Sequence, residues 1–347
     1  MYREHTVGVV LPAYNEADHV GAVIESMPEY VDRLYAIDDA STDSTWDVIC
    51  AQMGPESAPE RMPTADPPLE TDESSQPAVT DGSGTSGPEI VPVKHAVNRG
   101  AGGALKTGYG LAERDEIDIT VAIDADNQMD PEEMEVLLDP IVEGRADYAK
   151  GNRLAGDESA DAMPSFRLLG NWLLTLLTKP ASGYWGVRDP QNGYTAISHT
   201  ALSAIDTAAV PDDHDYPNDL LARLNAAGIS VADVPMAAKY GDEGSTIEFT
   251  NFVPSTSETI LRSFVWRVRQ EGREGKSRLP ALYALGVLGI GLGLLSVLRA
   301  IRRAVAPAME TVSESRPSAV TLFLSGAILS VAALFVDIDG ESTVVNE

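Results

Sequence analysis

Several short polar runs hold the residue types that chemistry needs. In Asp124-Ala125-Asp126-Asn127-Gln128-Met129-Asp130-Pro131, two carboxylates and an amide follow directly on the apolar run Ile117–Ile123. Carboxylate and amide oxygens are hard donors, suited to Mg²⁺ or Mn²⁺. The other runs are Leu11-Pro12-Ala13-Tyr14-Asn15-Glu16, Ile37-Asp38-Asp39-Ala40-Ser41-Thr42-Asp43-Ser44-Thr45, the glycine-rich Asn98–Gly108, and Lys150-Gly151-Asn152-Arg153. Taken singly, each has a plain structural use. An Asp-x-Asp can be a solvated loop and Asp43-Ser44 a helix cap. The glycines can serve a tight turn, and Arg153 a surface ion pair. Asp189-Pro190-Gln191-Asn192-Gly193-Tyr194 has ordinary turn chemistry. Asp219 ends the acidic run that opens at Asp212 and is a fair N-cap for the helical pattern Leu220–Ala227. His214, inside that run, reads as solvated.

The elements that must position these residues alternate. Strand-like runs occupy Thr6–Leu11, Leu34–Ile37, Ile90–Val93, Ile117–Ile123, Ala146–Lys150, Tyr194–Ile197 and Val231–Val234. Helical patterns fill Glu16–Ser26, Ser44–Gln52, Gly103–Glu113 and Pro131–Glu143. Such alternation implies an α/β fold, a largely parallel sheet covered on both faces. Ligands of such sheets sit at the carboxyl ends of the strands, where the polar runs fall.

The order and spacing of the runs resemble glycosyltransferase family 2, with the GT-A fold, and within it the polyprenyl- or dolichyl-phosphate mannose and glucose synthases. The resemblance covers roughly residues 6–245 and implies inverting transfer of a hexose from a nucleotide sugar. It places Pro12, Tyr14 and Glu16 along the nucleotide, and Ile37 and Asp39 at its base and ribose. Asp124, Ala125 and Asp126 would line the diphosphate, with Asp124, Asp126 and Gln128 around Mg²⁺ or Mn²⁺. Arg153 would contact phosphate, and Asp189 or Gln191 the sugar or acceptor. Asp219 stands where many members carry a catalytic base. One departure concerns 238–245: mannose synthases commonly have an Arg and a Lys where Ala238 and Gly244 stand here, leaving Lys239 as a substitute and the mannose donor in doubt.

Across 347 residues the net charge is −28 and 44% of side chains are hydrophobic, enough for a core and too acidic for broad nucleic-acid binding. Acidic excess with only 6 Lys beside 19 Arg resembles proteins of salt-loving microbes, where salt screens the repulsion. The single cysteine, Cys50, excludes an intramolecular disulfide framework. Val7–Leu11 is too short for a signal core. Leu279–Leu298 and Pro317–Val336 are uncharged 20-residue runs, each about 30 Å long as a helix and able to cross a bilayer. The domain layout expected is therefore a GT-A domain over 1–250, a juxtamembrane amphipathic segment over 251–278, spans over 279–298 and 317–336, and an acidic tail over 337–347. Six basic residues before the first span outnumber four between the spans, which favours a cytoplasmic catalytic part. Gly54–Glu89, rich in Pro, Ser, Thr and acid, is expected to be a disordered insertion.

The acceptor divides the readings. A lipid phosphate is already anionic and needs positive charge to hold it, whereas a hydroxyl needs a base. Arg153 and the membrane segments favour transfer to polyprenyl or dolichyl phosphate. Asp219 keeps a lipid-linked glycan hydroxyl open, and a non-catalytic nucleotide-sugar-binding scaffold is a third reading. The expected partners are the donor, the lipid, the membrane and a second copy of the chain.

Overall fold

The computed structural model describes residues 1–53, 87–155, 165–236, 249–275, 278–305, 319–339 and 344–346. The insertion expected over 54–89 lies outside them but for its last three residues, and the 238–245 segment lies wholly outside. Contacts divide the chain into two units, Met1–Leu261 with Thr343–Glu347, and Arg262–Ser342.

The first unit is built on eight strands: β1 (Val7–Ala13), β2 (Arg33–Asp38), β3 (Glu89–Lys94), β4 (Ile119–Ala122), β5 (Tyr148–Asn152), β6 (Thr195–Ser198), β7 (Val231–Pro235) and β8 (Val344–Asn346). Their order is β3-β2-β1-β4-β6-β5-β7-β8. β6 runs antiparallel to both its neighbours, and every other pair is parallel. β1, read from sequence as a buried run, is covered on both faces, as parallel strands are. Val7, Val9 and Leu11 face a cluster with α1 (Val20–Glu25) and α4 (Glu135–Val142). Val10, Tyr35 and Ile37 face α3 (Gly100–Arg114) and α7 (Tyr216–Ala226). The remaining helices of this unit are α2 (Thr45–Ala51), α5 (Ser165–Ser182) and α6 (His199–Ala204).

After β3 the chain crosses back to place β4 on the other side of β1. That reversal opens a crevice at the carboxyl ends of β1 and β4. The antiparallel β6 adds to it, because its amino end meets the carboxyl end of β4 through the Ala122–Thr195 pair. Residues 189–194 are thereby delivered to the same sheet edge.

α8 (Phe249–Glu274) is continuous across the boundary near 250 expected from sequence, and the contact division falls at Leu261. In the second unit, α9 (Leu279–Val305) and α10 (Ala319–Asp339) pack closely at glycines. A Cβ on Gly289 would stand 2.7 Å from Gly326 Cα, and one on Gly293 2.8 Å from Phe323. Leu279–Arg299 and Val320–Asp339 are long and apolar enough to cross a membrane, and only 17% of each is buried. Val287, Leu298, Ile328 and Phe335 are all more than 60% exposed, which suits hydrocarbon rather than water. Phe264 and Val268 of α8 pack against Leu279, Tyr283 and Ala333, so that part of its apolar face is spent on the helix pair. Arg267, 1% exposed, donates to Asp337 at 2.8 and 3.0 Å and to Glu271 at 2.7 Å.

Candidate active site

The β1–α1 and β2–α2 turns are tied together. Asn15, with φ +57°, accepts on its side chain from Thr42 N at 2.8 Å. Its own N–H donates to Ser41 Oγ, Glu16 N donates to Thr45 Oγ1, and Ala17 N to Asp43. Pro12 and Glu16 are half-buried beside this junction, and Tyr14 is 46% exposed. A flat, accessible ring there is a suitable platform for a nucleobase. Ile37, expected beside the base, is instead fully buried in the core with Val10, Leu105 and Tyr109. Its position inside a doubly covered strand turns its side chain toward α3.

Asp124 follows β4 and is half-buried. Burial, then Asp126, push its carboxyl up to about 6, with Glu16 adding to the rise and Arg153 and Lys150 opposing it. The expected residues Glu16, Asp124, Asp126 and Arg153 therefore converge. A Cβ on Gly193 would come within 3.0 Å of the Asp124 carboxylate, so the turn before β6 closes on it. Asp126 Oδ1 accepts from Gln128 N at 3.0 Å, which folds the Asp126–Gln128 turn and leaves Gln128 exposed. Ala125, between the two carboxylates, is buried at 2%.

Among the described residues no group of three or more His, Cys, Asp or Glu could hold a metal ion. The donor set still fits one. Mg²⁺ and similar cations take one or two carboxylates and complete their shell with water and substrate phosphate. Two carboxylates close enough that Asp126 raises the protonation of Asp124, with an exposed amide nearby, form an anionic cradle of that kind.

Arg153 Nε donates to Asp189 Oδ2 at 2.8 Å, and its Nη2 reaches Oδ1 at 3.3 Å. Asp189 is buried at 4% and so fixes the guanidinium near Asp124. Gln191 donates to Asn218 Oδ1 at 3.0 Å, an atom also bonded by Thr178. Asp219 lies on α7, 7% exposed, paired with Arg223 one turn on. It is not the N-cap, which is Asp215. His214 is exposed, as the acidic run implied.

Lys150 escaped the sequence reading. It is fully buried, and its ammonium donates to Asn192 O. Burial brings it down to about 8 against the pull of Asp189, Asp233 and Asp124. Its neighbour Asn152 donates to Asp233 at 2.6 Å. The only sequence sign was a lysine inside a strand otherwise buried on both faces.

The glycine-rich run has a packing role. A Cβ on Gly102 would sit 2.2 Å from Pro211 O, and one on Gly108 2.2 Å from Val10. Gly103 N donates to Asp212 O at 3.0 Å. Asp39, expected at the ribose, directs its carboxylate to the start of α3, accepting from Arg99 N and Gly100 N.

Comparison with known proteins agrees with this layout. Residues 70–205, which include both aspartates and the Asp189–Tyr194 turn, match the family Glycosyl transferase family 2. The chain carries a glycosyl transferase family 2 domain and is a glycosyltransferase. A UDP-N-acetylglucosamine–dolichyl-phosphate N-acetylglucosaminyltransferase of Methanococcus voltae is 25% identical over 233 residues, 67% of this chain and 85% of that one. An undecaprenyl-phosphate mannosyltransferase of Micrococcus luteus is 23% identical over 232 residues, 65% of this chain and 81% of the other. Among solved structures, glucosyl-3-phosphoglycerate synthase from Mycobacterium tuberculosis, in complex with Mn²⁺, UDP and glucosyl-3-phosphoglycerate, superposes with a TM-score of 0.51 at 20% identity. The match covers 76% of this glycosyltransferase and 80% of that chain. The sheet is thus of GT-A type: mostly parallel, with one reversed strand.

Proposed function

We propose that this glycosyltransferase moves a hexose, with inversion, from a nucleoside diphosphate sugar to a polyprenyl or dolichyl phosphate. The observation that carries the reading is Arg153, held by Asp189 beside the Asp124–Asp126 pair, in a chain with two membrane-length apolar helices. A cation there and a guanidinium nearby can accommodate two phosphates, one leaving and one attacking. The acceptor oxygen bonds the anomeric carbon as the bond to the diphosphate breaks, and the diphosphate leaves with the electron pair. No proton need be removed from a phosphate monoester anion, which agrees with an Asp219 paired to Arg223. Mg²⁺ or Mn²⁺ held by Asp124, Asp126 and Gln128 would offset the leaving charge as a Lewis acid. Tyr14 and Glu16 would flank the nucleotide, and Asp189 would orient Arg153.

The donor we favour is UDP-linked, in keeping with the relative from Methanococcus voltae and with Ala238 and Gly244 in place of a mannose synthase's basic pair. The catalytic domain, read as 1–250, would face the cytoplasm with the spans as its anchor, and the acidic surface would suit molar salt.

The test uses membranes containing the protein in molar KCl with Mn²⁺ or Mg²⁺ and dolichyl phosphate. Labelled UDP-glucose, UDP-N-acetylglucosamine and GDP-mannose are supplied in turn. A lipid-soluble product labile to mild acid, from one donor, is expected. Donor hydrolysis without such a product would reject the lipid-phosphate acceptor. Asp126→Ala should nearly abolish transfer, and retention of more than about a third of the rate would reject a metal role for it.

A further inference from the structure

His95 takes no part in the chemistry above, yet it is buried at 1% immediately after β3. Its Nδ1 stands 2.6 Å from Asp39 Oδ1 and its Nε2 2.9 Å from Thr107 Oγ1. Asp39, 3% exposed, also accepts from Arg99 N at 2.9 and 3.1 Å and from Gly100 N at 2.7 Å. These four contacts match the roughly four lone-pair sites of a carboxylate. The amides belong to the opening turn of α3, whose N–H groups lack partners within the helix. Arg99, at the N-cap position, makes no side-chain cap of its own. Asp39 therefore caps α3 from a neighbouring strand.

A buried carboxylate in this position needs a compensating donor. The ring of His95 is the side chain that supplies one. Thr107 Oγ1 lies 3.2 Å from Gly103 O, so its hydroxyl either donates there and accepts from Nε2–H or turns its proton to Nε2. An ionised carboxylate can only accept, so the ring nitrogen that faces Asp39, Nδ1, is assigned the proton. The capped turn in turn seats the loop before α7. Gly103 N holds Asp212 O, and Lys106 donates to Val210 O at 2.8 Å and pairs with the Asp212 carboxylate. Asp39 also bonds back to β1 through its own N–H, which donates to Ala13 O at 2.9 Å, next to Tyr14.

We propose that His95 is a positioning residue: its Nδ1–H fixes Asp39, and through it the β2–α2 turn, the start of α3 and the loop 210–213 in the arrangement that binds a nucleoside diphosphate. The proposal rests on the donor-site reading given above. It makes the glycine-rich run part of a rigid wall, its amides spent on protein partners.

The experiment compares His95→Asn, His95→Gln and His95→Leu in the full-length protein. Two readouts are used: binding of UDP with Mn²⁺ by calorimetry, and hydrogen–deuterium exchange across residues 98–103. Asparagine places an N–H where Nδ1 was, whereas glutamine reaches toward the Nε2 position. His95→Asn should hold UDP affinity within about threefold of wild type and keep the amides protected, while His95→Gln and His95→Leu weaken UDP at least about tenfold and speed exchange. A role in mere folding would lower the active fraction without moving the dissociation constant of the remainder. Wild-type affinity and protection in His95→Leu would overturn the proposal. So would equal loss in His95→Asn and His95→Gln, a comparison that stands even where His95→Leu does not fold. A wild type that binds neither UDP nor GDP would reject the donor-site reading, and the exchange data would still decide whether His95 holds the turn.

Discussion

Asp124 and Lys150 are half-buried and buried groups of opposite charge whose protonation is shifted toward neutrality by the same cause, loss of water. For Lys150 the consequence for stability can be worked out. Its ammonium titrates near 8 in the fold against an ordinary value of 10.5. The folded state thus releases this proton first, and the cost of burying the charge is fully present below about pH 8. That cost is relieved as pH rises toward 10.5. At about 1.4 kcal/mol per pKa unit, wild type should gain about 3 kcal/mol over Lys150→Met between about pH 7 and pH 10. Chemical denaturation of both proteins in molar salt reads this difference, and parallel pH profiles would reject it. Asp219 yields a sharper prediction about chemistry. Loss of a working base costs on the order of 10²–10⁴-fold in rate. With a phosphate acceptor, Asp219→Asn should keep transfer within about threefold, because no proton has to be taken. A fall of the larger size would restore the hydroxyl-acceptor reading.

At the scale of elements, the alternation of apolar runs and helical patterns was enough to place seven strands and the main helices, because doubly covered parallel strands leave continuous apolar stretches. Strand direction was not legible. Nothing in Thr195–Ser198 says that it runs against its neighbours, and that reversal is what brings Gly193 to Asp124. α5 was missed because its Leu-rich sequence is apolar on more than one face, which blurs the helical period. β8 was missed because three residues carry no pattern. Of the candidate site, the residues on the turns after β1 and β4 were readable as motifs, whereas Lys150 and His95 were not, since single buried polar groups announce themselves only through their partners. The glycines of α3 show the same limit, and their roles can now be separated. Gly108 faces Val10 with no room for a Cβ, while Gly110 meets nothing within 4 Å. Gly110→Ala should therefore be neutral or stabilise by up to about 1 kcal/mol from helix propensity. Gly108→Ala should destabilise by about 1–3 kcal/mol through overpacking against β1. Thermal melts of the two variants test the contrast, and equal behaviour would mean that α3 can move away from the sheet.

For the whole molecule, the decisive element is the shortest. The chain leaves the catalytic unit at Leu261, passes through α9 and α10, and returns to pair Val344 with Val231 and Val345 with Ala232. Asp233 on the same strand holds Asn152, so the returning tail reaches the strand that supports the site. A segment that rejoins its own sheet must end on the side where it began. In a membrane an even number of crossings would then be required, and α9 and α10, each long and apolar enough to cross, would supply two. The glycine contacts between them, and the Arg267–Asp337 pair that links α8 to the end of α10, fit a closed hairpin. The four arginines between the apolar runs would lie on the far side, against the six basic residues on the near side, a difference the positive-inside rule tolerates. In a Cys50→Ser background, Glu29→Cys and Glu341→Cys should react with an impermeant maleimide from one face of sealed vesicles, and Ser313→Cys only from the other. Reaction of all three from a single face would mean that the two helices lie in the membrane surface rather than cross it. Reaction of Glu29→Cys and Glu341→Cys from opposite faces would mean that the β7–β8 pairing does not form in the membrane.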